Sequence, residues 1–408
     1  MFGIHKKVNI DTDPTKIEEL LTRGVENVYP TPDFLRSKLK KGERLTIYLG
    51  IDPTGPTLHI GHIIPIKKLG QFQKLGHQII LLMGDFTAMI GDPTDKSATR
   101  KKLTHEEVIA NLKRYKEQAS KFISFEGENP ALIKYNSEWL GKMNFHDVLE
   151  LTSLMTVEQM SKRDMFVRRT EEGKPTYIHE FLYPLMQGYD SVAMDVDGEV
   201  GGNDQTFNML TGRDLMKTLK NKEKFVITTK LLTDSSGKKM GKTENNLVSF
   251  DLSPEDIFGK VMSWGDDVLM LGFEIITNVE MSEIEEMKKA LESGANPKEI
   301  KMRLAREIIQ MYFGKNEAEK AQESFENTFS KGGTPDEVVE VSVAEGTLLV
   351  DVLLAENIVS SKSDFRRLVS EGAISKTENS EKISNIDAKI ENGIYKIGKR
   401  RFIKIKVI

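Results

Sequence analysis

Cysteine is absent from the 408 residues of this chain. That excludes disulfides, a thiolate nucleophile and any zinc or iron–sulfur site built on sulfur ligands. It also fits a reducing compartment, so a cytoplasmic location is expected. Long apolar runs are missing too. The longest, Ile79 to Met83, is far short of a bilayer span. The opening stretch MFGIHKKVNIDTDP has no apolar core of the signal-peptide kind, so export is not expected. Internal repeats and low-complexity tracts are not found either, which sets aside collagen, coiled coil and wholesale disorder.

What is present suits a large globular chain. Hydrophobic residues make up 38% and charged residues 29%, enough apolar material for a sizeable core without a membrane phase. The length points to two to four domains. Net charge is −4, unevenly spread: residues 351–408 carry 12 Lys/Arg against 8 Asp/Glu, leaving 46 against 54 for the rest. A mildly basic tail on an acidic body is compatible with a polyanion partner at one end. A solvated charged face would give the same count.

The first half alternates in the manner of α/β proteins. Leu45 to Ile51 reads as a buried strand, Asp52-Pro53-Thr54-Gly55-Pro56 as a turn, about His59 to Leu75 as a helix and Gln78 to Met83 as a second strand. Thr104 and Glu107 form a capping-box start for a helix running towards Ile123. Strands separated by helices imply a parallel sheet with ligands at the carboxyl ends of its strands. From about 250 to 329 the periodicity is helical, with a capping box at Ser282–Glu285 and Pro297 at the first position of another helix. A soft boundary is read at Asn221–Lys224, and a turn-forming one at Ser330–Asp336. In the tail, Ser363 to Ser370 suits a short helix, and Ile394–Ile397 and Phe402–Val407 suit strands.

Three strings carry chemistry. The first is Asp52-Pro53-Thr54-Gly55-Pro56-Thr57-Leu58-His59-Ile60-Gly61-His62, between a strand and a helix. Free backbone N–H groups and the helix dipole favour an anion there. Two imidazoles three residues apart on one helix face, with Gly61 letting a flat group approach, suit phosphate oxygens during transfer. A capping histidine beside a satisfied buried one is the plain alternative. Metal ligation is a third, although Asp52 lies on a different element. The eleven-residue string as a whole is far rarer than a histidine pair and favours the functional reading.

The second string is Lys238-Lys239-Met240-Gly241-Lys242-Thr243. It falls one residue short of a P-loop, because only three residues separate Gly237 from Gly241. A loop bringing ammonium groups to a triphosphate is the better reading, and a lysine-rich surface turn the plain one. The third is Gly91-Asp92-Pro93-Thr94 with Lys96 and Arg100 following. Asp92 at a strand exit suits an ammonium group, and the two cations suit phosphate.

Together these strings resemble the class I aminoacyl-tRNA synthetases, and among them the bacterial tyrosyl-tRNA synthetases. His59-Ile60-Gly61-His62 is similar to the HIGH signature, and Lys239-Met240-Gly241-Lys242-Thr243 to the KMSKS loop. Further matches are Tyr48-x-Gly50-x-Asp52-Pro53-Thr54, Gly84 to Thr94, Tyr183 to Asp190, and Gly201-Gly202-Asn203-Asp204-Gln205. The tail around Ser363 to Val369 resembles an S4 RNA-binding domain. Leu49, Asn203 and Glu199 depart from the residues common in the family.

The resemblance implies a Rossmann-like parallel-sheet catalytic domain over 1–224. A helical anticodon-side domain with the KMSKS-type loop would cover 225–329, a linker 330–344 and an S4-like domain 345–408. The reaction implied is tyrosine plus ATP giving tyrosyl-adenylate and pyrophosphate, then transfer to the 3′ end of tRNA(Tyr). Mg²⁺ would arrive bound through the ATP phosphates, with no metal site of the protein's own. A homodimer is also implied.

By the same resemblance, Thr54 and His59 meet the γ-phosphate region, and Gly61 and His62 hold the adenosine end. Lys239, Lys242 and Thr243 close on pyrophosphate with Lys96 and Arg100 opposite, while Gly202 and Asp204 hold the ribose. Tyr48 and Asp190 would bond the phenolic oxygen, and Tyr183, Gln187 and Asp92 the ammonium group. Gln205 lies near the carboxylate; Gly50, Asp52 and Thr87 complete the tyrosine side. Arg366, Arg367, Lys399, Arg400 and Arg401 are the expected tRNA-facing cations. A tryptophanyl-tRNA synthetase, a small-molecule nucleotidyltransferase and a catalytically silent RNA-binding paralogue remain alternatives. Amino-acid-dependent ATP–pyrophosphate exchange separates them.

Overall fold

The computed structural model describes residues 8–92, 104–161, 164–237, 248–327, 339–356, 358–359, 361–377, 381–398 and 401–408. The chain divides into two compact units, Met1–Gly314 and Lys315–Ile408.

The first unit is built on β1 (Val25–Tyr29), β2 (Thr46–Ile51), β3 (Gln78–Met83), β4 (Leu132–Tyr135), β5 (Gly198–Gly202) and β6 (Phe225–Thr229), in spatial order β1-β6-β5-β2-β3-β4. Five of these strands are parallel and β1 adds to β6 antiparallel. The unbroken apolar runs of β2 and β3 are what a parallel sheet covered on both faces requires. The helix Ile60–Lys74 makes the crossover between them, with Ile63, Ile66, Leu69 and Phe72 fully buried. From β2 the chain goes to β3 and β4 on one side, while β5 and β6 lie on the other. The order therefore reverses between β2 and β5, the place where open α/β sheets bind ligands.

Helices Ile178–Met194 and Thr206–Lys220 flank β5 in sequence and pack on each other. They meet at glycine on glycine: a Cβ at Gly188 would lie 3.1 Å from the Gly212 nitrogen and 3.2 Å from its Cα. Any side chain at the crossing would force the helices apart.

A set of buried cations ties helix Pro14–Thr22 to helices Ile60–Lys74 and Leu269–Ile276. Arg23 donates to the carbonyls of Glu274, Thr277 and Val279 at 3.1, 2.9 and 2.7 Å. Lys68 donates to those of Leu20 and Arg23 at 2.7 and 2.9 Å, and Lys67 to those of Ile276 and Thr277. Burial pushes both lysines down to about 7, because few counter-charges offset the lost hydration. Helices Pro254–Met262, Met281–Glu292 and Pro297–Phe313 complete the unit.

The second unit holds helices Lys315–Phe325, Leu349–Ala355 and Lys362–Ser370 with a four-stranded sheet. Its strands are β7 (Val339–Val343), β8 (Ile374–Lys376), β9 (Gly393–Ile397) and β10 (Arg401–Val407), in order β7-β10-β9-β8. Leu349, Leu353, Phe365, Ile374, Tyr395, Ile397 and Ile403 form its core.

Most elements lie where the patterns predict, with four differences. Helix His105–Ala119 has both halves of its capping box but stops before Ile123. There the chain turns so that the Phe122 carbonyl fills the space left by Gly70. Helix Met281–Glu292 begins one residue before Ser282, which sits inside the first turn and cannot cap it. Asn221–Lys224 is an ordinary helix-to-strand connection, since β6 pairs with β5 inside the first sheet, so a boundary at 224 would cut the sheet. Likewise β7 pairs in parallel with β10, which puts 339–343 inside the second fold and not in a linker.

Candidate functional site

The site is organised around the β2–β5 reversal. Tyr48 on β2 and Glu199 on β5 are register partners, so their side chains leave the same face of the sheet. The Tyr48 ring is fully buried against Ile80, Leu82, Met194 and Val196, with Trp139 beside it. Two chains of hydrogen bonds converge beneath it.

One chain starts at Tyr183, whose hydroxyl donates to Asp52 at 2.8 Å. Thr87 donates to the other Asp52 oxygen at 2.7 Å and accepts from Asn136 at 3.0 Å. The Asn136 amide also reaches Asp190 at 3.4 Å, and the Trp139 indole N–H donates to Asp190 at 2.8 Å. The other chain starts at Asp92, which accepts from Gln205 at 2.6 Å. Asn208 donates to both Gln205 and Gln187 at 2.9 Å, and Gln187 donates to Glu199 at 3.2 Å. Glu199 is ion-paired with the buried Lys224. Lys224 donates to Ser191 at 2.8 Å, and Ser191 lies 3.0 Å from the Tyr48 hydroxyl. The chains end on adjacent residues, Asp190 and Ser191, on a buried turn of helix Ile178–Met194.

Burial dominates the electrostatics. It pushes the Asp190 carboxyl well above the carboxylate range, against the hydrogen bonds from Trp139 and Asn136. Tyr48 is pushed up by burial and then by the Glu199 and Asp190 charges, and Tyr183 by burial and then by Asp52. Both phenols therefore keep their protons. Lys224 is lowered by burial, with Glu199 opposing. The result is a dry floor of donors and acceptors in fixed positions, suited to reading a polar group on a flat substrate.

The Asp52–His62 string forms one edge of this region. Helix His105–Ala119 holds the turn: Asn111 donates to the Pro53 carbonyl at 2.9 Å, Tyr115 to that of Gly55 at 2.8 Å, and Gln118 accepts from the Leu58 N–H at 2.7 Å. His59 is not on the helix face. It is the N-cap, with extended backbone, because its N–H closes onto His62 Nδ1 at 3.2 Å and the two rings stack at 3.8 Å. A Cβ on Gly61 would stand 3.0 Å from the His59 imidazole, so glycine gives that ring its room.

Lys96, Arg100, Lys239, Lys242, Thr243, Lys399 and Arg400 lie outside the described residues. The chain after 238–247 is described and returns beside the histidines. Ile60 N–H donates to the Val248 carbonyl at 2.9 Å, and Ser249 bridges His59. Gly50 near the end of β2 and Thr54 on the turn that follows flank Asp52, and Gly202 and Asp204 lie at the end of β5, where a Cβ on Gly202 would strike the Asp204 carboxylate. In the second unit Arg366, Arg367 and Arg401 are exposed, with Arg367 paired to Asp364 and Glu371 on its own helix. Lys404 and Lys406 face outward from β10 while Ile403 and Ile405 face the core. Among the described residues no three His, Asp or Glu side chains converge as a cation site.

Sequence reasoning missed Asn136, Trp139, Ser191, Asn208 and Lys224. Each reads locally as a cap, a core aromatic or a surface polar residue. Only Lys224, a charge abutting the buried run Phe225–Thr228, carries even a faint signal.

Comparison with known proteins adds independent findings. A family model described as tRNA synthetases class I (W and Y) matches residues 40–330. The chain is 42% identical over 404 residues to a tyrosine–tRNA ligase of Carboxydothermus hydrogenoformans, spanning 95% of this chain and 97% of that one. It is 40% identical over 390 residues to a tyrosine–tRNA ligase of Haemophilus ducreyi, over the same shares. A C-terminally truncated mitochondrial tyrosyl-tRNA synthetase of Coccidioides posadasii superposes with TM-score 0.60 at 27% identity, covering 76% of this chain and 91% of that one. The tyrosyl-tRNA synthetase of Archaeoglobus fulgidus, solved with L-tyrosine, shares the fold at TM-score 0.60 and 22% identity, over 76% and 100% of the two chains.

Proposed function

We infer the function of this chain from its family: it belongs to the class I tRNA synthetases of the tryptophan and tyrosine group, and within them to the tyrosine–tRNA ligases. It activates L-tyrosine with ATP, releasing pyrophosphate, and passes the tyrosyl group from the adenylate to the 3′ end of tRNA(Tyr). The observation that carries the reading is Asp190, a fully buried carboxylate beside Tyr48, with donors from Trp139 and Asn136. A phenol hydroxyl can hydrogen-bond this carboxyl, and phenylalanine cannot.

In the first step the substrate's own carboxylate oxygen attacks the α-phosphorus, and the bond to pyrophosphate breaks. The protein supplies alignment and charge neutralisation, not a nucleophile of its own. Tyr48 and Asp190 hold the phenol. Tyr183, Gln187 and Asp92 hold the ammonium group, with Asp52 and Thr87 keeping Tyr183 in place through the bonds described above. Gln205 lies near the carboxylate, and Gly50 leaves room beside it. Thr54 and His59 meet the γ-phosphate, Gly61 and His62 the adenosine end, and Gly202 and Asp204 the ribose. Lys239, Lys242 and Thr243 close on pyrophosphate from one side, Lys96 and Arg100 from the other. The return of the chain at Val248–Phe250 alongside Leu58–Ile60 supports this, since it brings the residues that follow the lysine segment in sequence next to the histidines. Mg²⁺ enters with ATP, carried by the phosphate oxygens.

The second unit is an S4-like tRNA-binding domain in this reading. Lys404 and Lys406 on β10, with the exposed Arg366, Arg367 and Arg401, supply its cations, and Lys399 and Arg400 join them as tRNA-binding residues by their place in the sequence. Exposed apolar side chains between 145 and 178, namely Phe145, Leu149, Val157 and Ile178, support a homodimer through that stretch. Among the described residues no helix is long and apolar enough to cross a membrane, and the cytoplasm is the location proposed.

ATP–pyrophosphate exchange with each of the twenty amino acids tests the reaction. Exchange with tyrosine alone is expected; exchange driven by tryptophan, or by none, overturns it.

A further inference from the structure

Glu199, Lys224 and Ser191 belong to none of the substrate contacts above, yet they form the most deeply buried charged cluster of the site. Lys224 and Ser191 are fully buried and Glu199 nearly so. An ammonium group only donates. Lys224 gives one proton to Glu199 and another to Ser191 Oγ, at 2.8 Å. A serine oxygen that takes a proton from an ammonium group is polarised to pass its own proton onward. The acceptor within reach is the Tyr48 oxygen, 3.0 Å away. Tyr48 then has its own proton turned away from Ser191.

Both Glu199 oxygens already have donors, Lys224 on one and Gln187 on the other. Glu199 also acts on the Tyr48 hydroxyl as an acceptor, so a ligand oxygen competes with Glu199 for the Tyr48 proton, while Ser191 is closed to it. Space for this arrangement depends on Gly212, where a Cβ would stand 2.7 Å from Lys224 Nζ and 2.9 Å from Ser191 Oγ. Stability alone is a weak reason for such a cluster, because a buried ion pair is commonly replaceable by apolar groups at little cost.

We propose that Lys224 and Ser191, anchored by Glu199, are positioning residues for amino-acid selection: they fix the direction of the Tyr48 hydroxyl proton so that it meets the substrate's phenolic oxygen. The substrate's hydroxyl hydrogen-bonds Asp190 while Tyr48 donates a hydrogen bond to its oxygen. Phenylalanine leaves both unanswered. The inference rests on the reading of Tyr48 and Asp190 as the phenol contacts.

The test is a double-mutant cycle read by ATP–pyrophosphate exchange with tyrosine and phenylalanine. Ser191→Ala is expected to raise KM for tyrosine about tenfold and to lower the tyrosine-to-phenylalanine preference by the same factor. KM for ATP should not change. The pair Lys224→Met with Glu199→Gln, which removes both charges together, should act in the same direction. In a Tyr48→Phe background Ser191→Ala should have no further effect on selectivity, because its only route of action is gone. Equal losses in the two backgrounds, or an unchanged preference in Ser191→Ala, overturn the proposal. Loss of ATP affinity in parallel with tyrosine would mean general damage and also overturn it. If the unmodified chain shows no tyrosine-dependent exchange, it is the function that fails. If that exchange is normal and the cycle fails, only the relay does.

Discussion

Two buried polar clusters in the first unit answer the same physical problem in opposite ways. Around Arg23, Lys67 and Lys68, the cations donate to main-chain carbonyls at the ends of helices. Such bonds satisfy orphan carbonyls and join three helices. Around Tyr48 and Asp190, side chains hold side chains, acids outnumber bases, and one carboxyl is kept far from its ordinary ionisation. The first cluster is a brace. The second holds a buried carboxyl with no cation paired to it among the described residues, which a substrate hydroxyl can hydrogen-bond.

The comparison breaks most sharply at Asp190. Asp190→Ala should lower kcat/KM for tyrosine by on the order of a hundredfold in pyrophosphate exchange, with KM for ATP little changed. The folded carboxyl binds a proton at pH values where the unfolded chain has lost it, so this group destabilises the fold as pH rises above about 4. Asp190→Asn is therefore expected to increase resistance to urea at pH 8 while it impairs activity. A less stable Asp190→Asn protein would place Asp190 with the brace.

His77 offers the next largest effect, as a buried group unconnected with either cluster. Its Nδ1 accepts the Leu45 N–H at 3.3 Å, and burial pushes it down to about 4. The unfolded histidine gains its proton near pH 6.5 and the folded one only near 4. Stability should thus fall by roughly 3 kcal/mol as pH drops through that window, and His77→Phe should flatten the slope. Urea titrations at pH 4.5, 5.5 and 7 would measure it.

Within the brace, Lys68→Met should cost about 2 kcal/mol, since the carbonyls of Leu20 and Arg23 lose a buried donor. Lys68 sits near 7 when folded and near 10.5 when not, so the wild type should gain stability between pH 7 and 10, and the variant less. Tyrosine preference should be untouched. A change in preference would erase the distinction between the clusters. The smallest effect is expected at Thr87→Val, which removes the 2.7 Å bond to Asp52 and should cost about 1 kcal/mol, seen as a several-fold rise in KM for tyrosine.

These clusters also mark what the chain discloses before it folds. β2, β3 and the helix between them were legible because burial on both faces writes continuous apolar runs and 3.6-residue periodicity. The Asp52–His62 string was legible because its composition is rare. His59 was misplaced by one position, since spacing alone does not tell a capping residue from the first residue of the helix. Ser191, Asn136 and Lys224 were invisible for a different reason. Their partners come from elements tens of residues away, and only strand order brings β5 beside β2 and Lys224 beneath Tyr48. Periodicity records which way a side chain faces, not what it meets.

The contact between Gly188 and Gly212 has a consequence for altering what the cavity accepts. With main chain resting on main chain there, the helix that carries Asp190 has no compressible layer behind it. A bulkier or slimmer amino acid cannot be accommodated by letting that wall breathe. Redesign must proceed by trimming or enlarging the lining itself, one residue at a time, on a frame of fixed width.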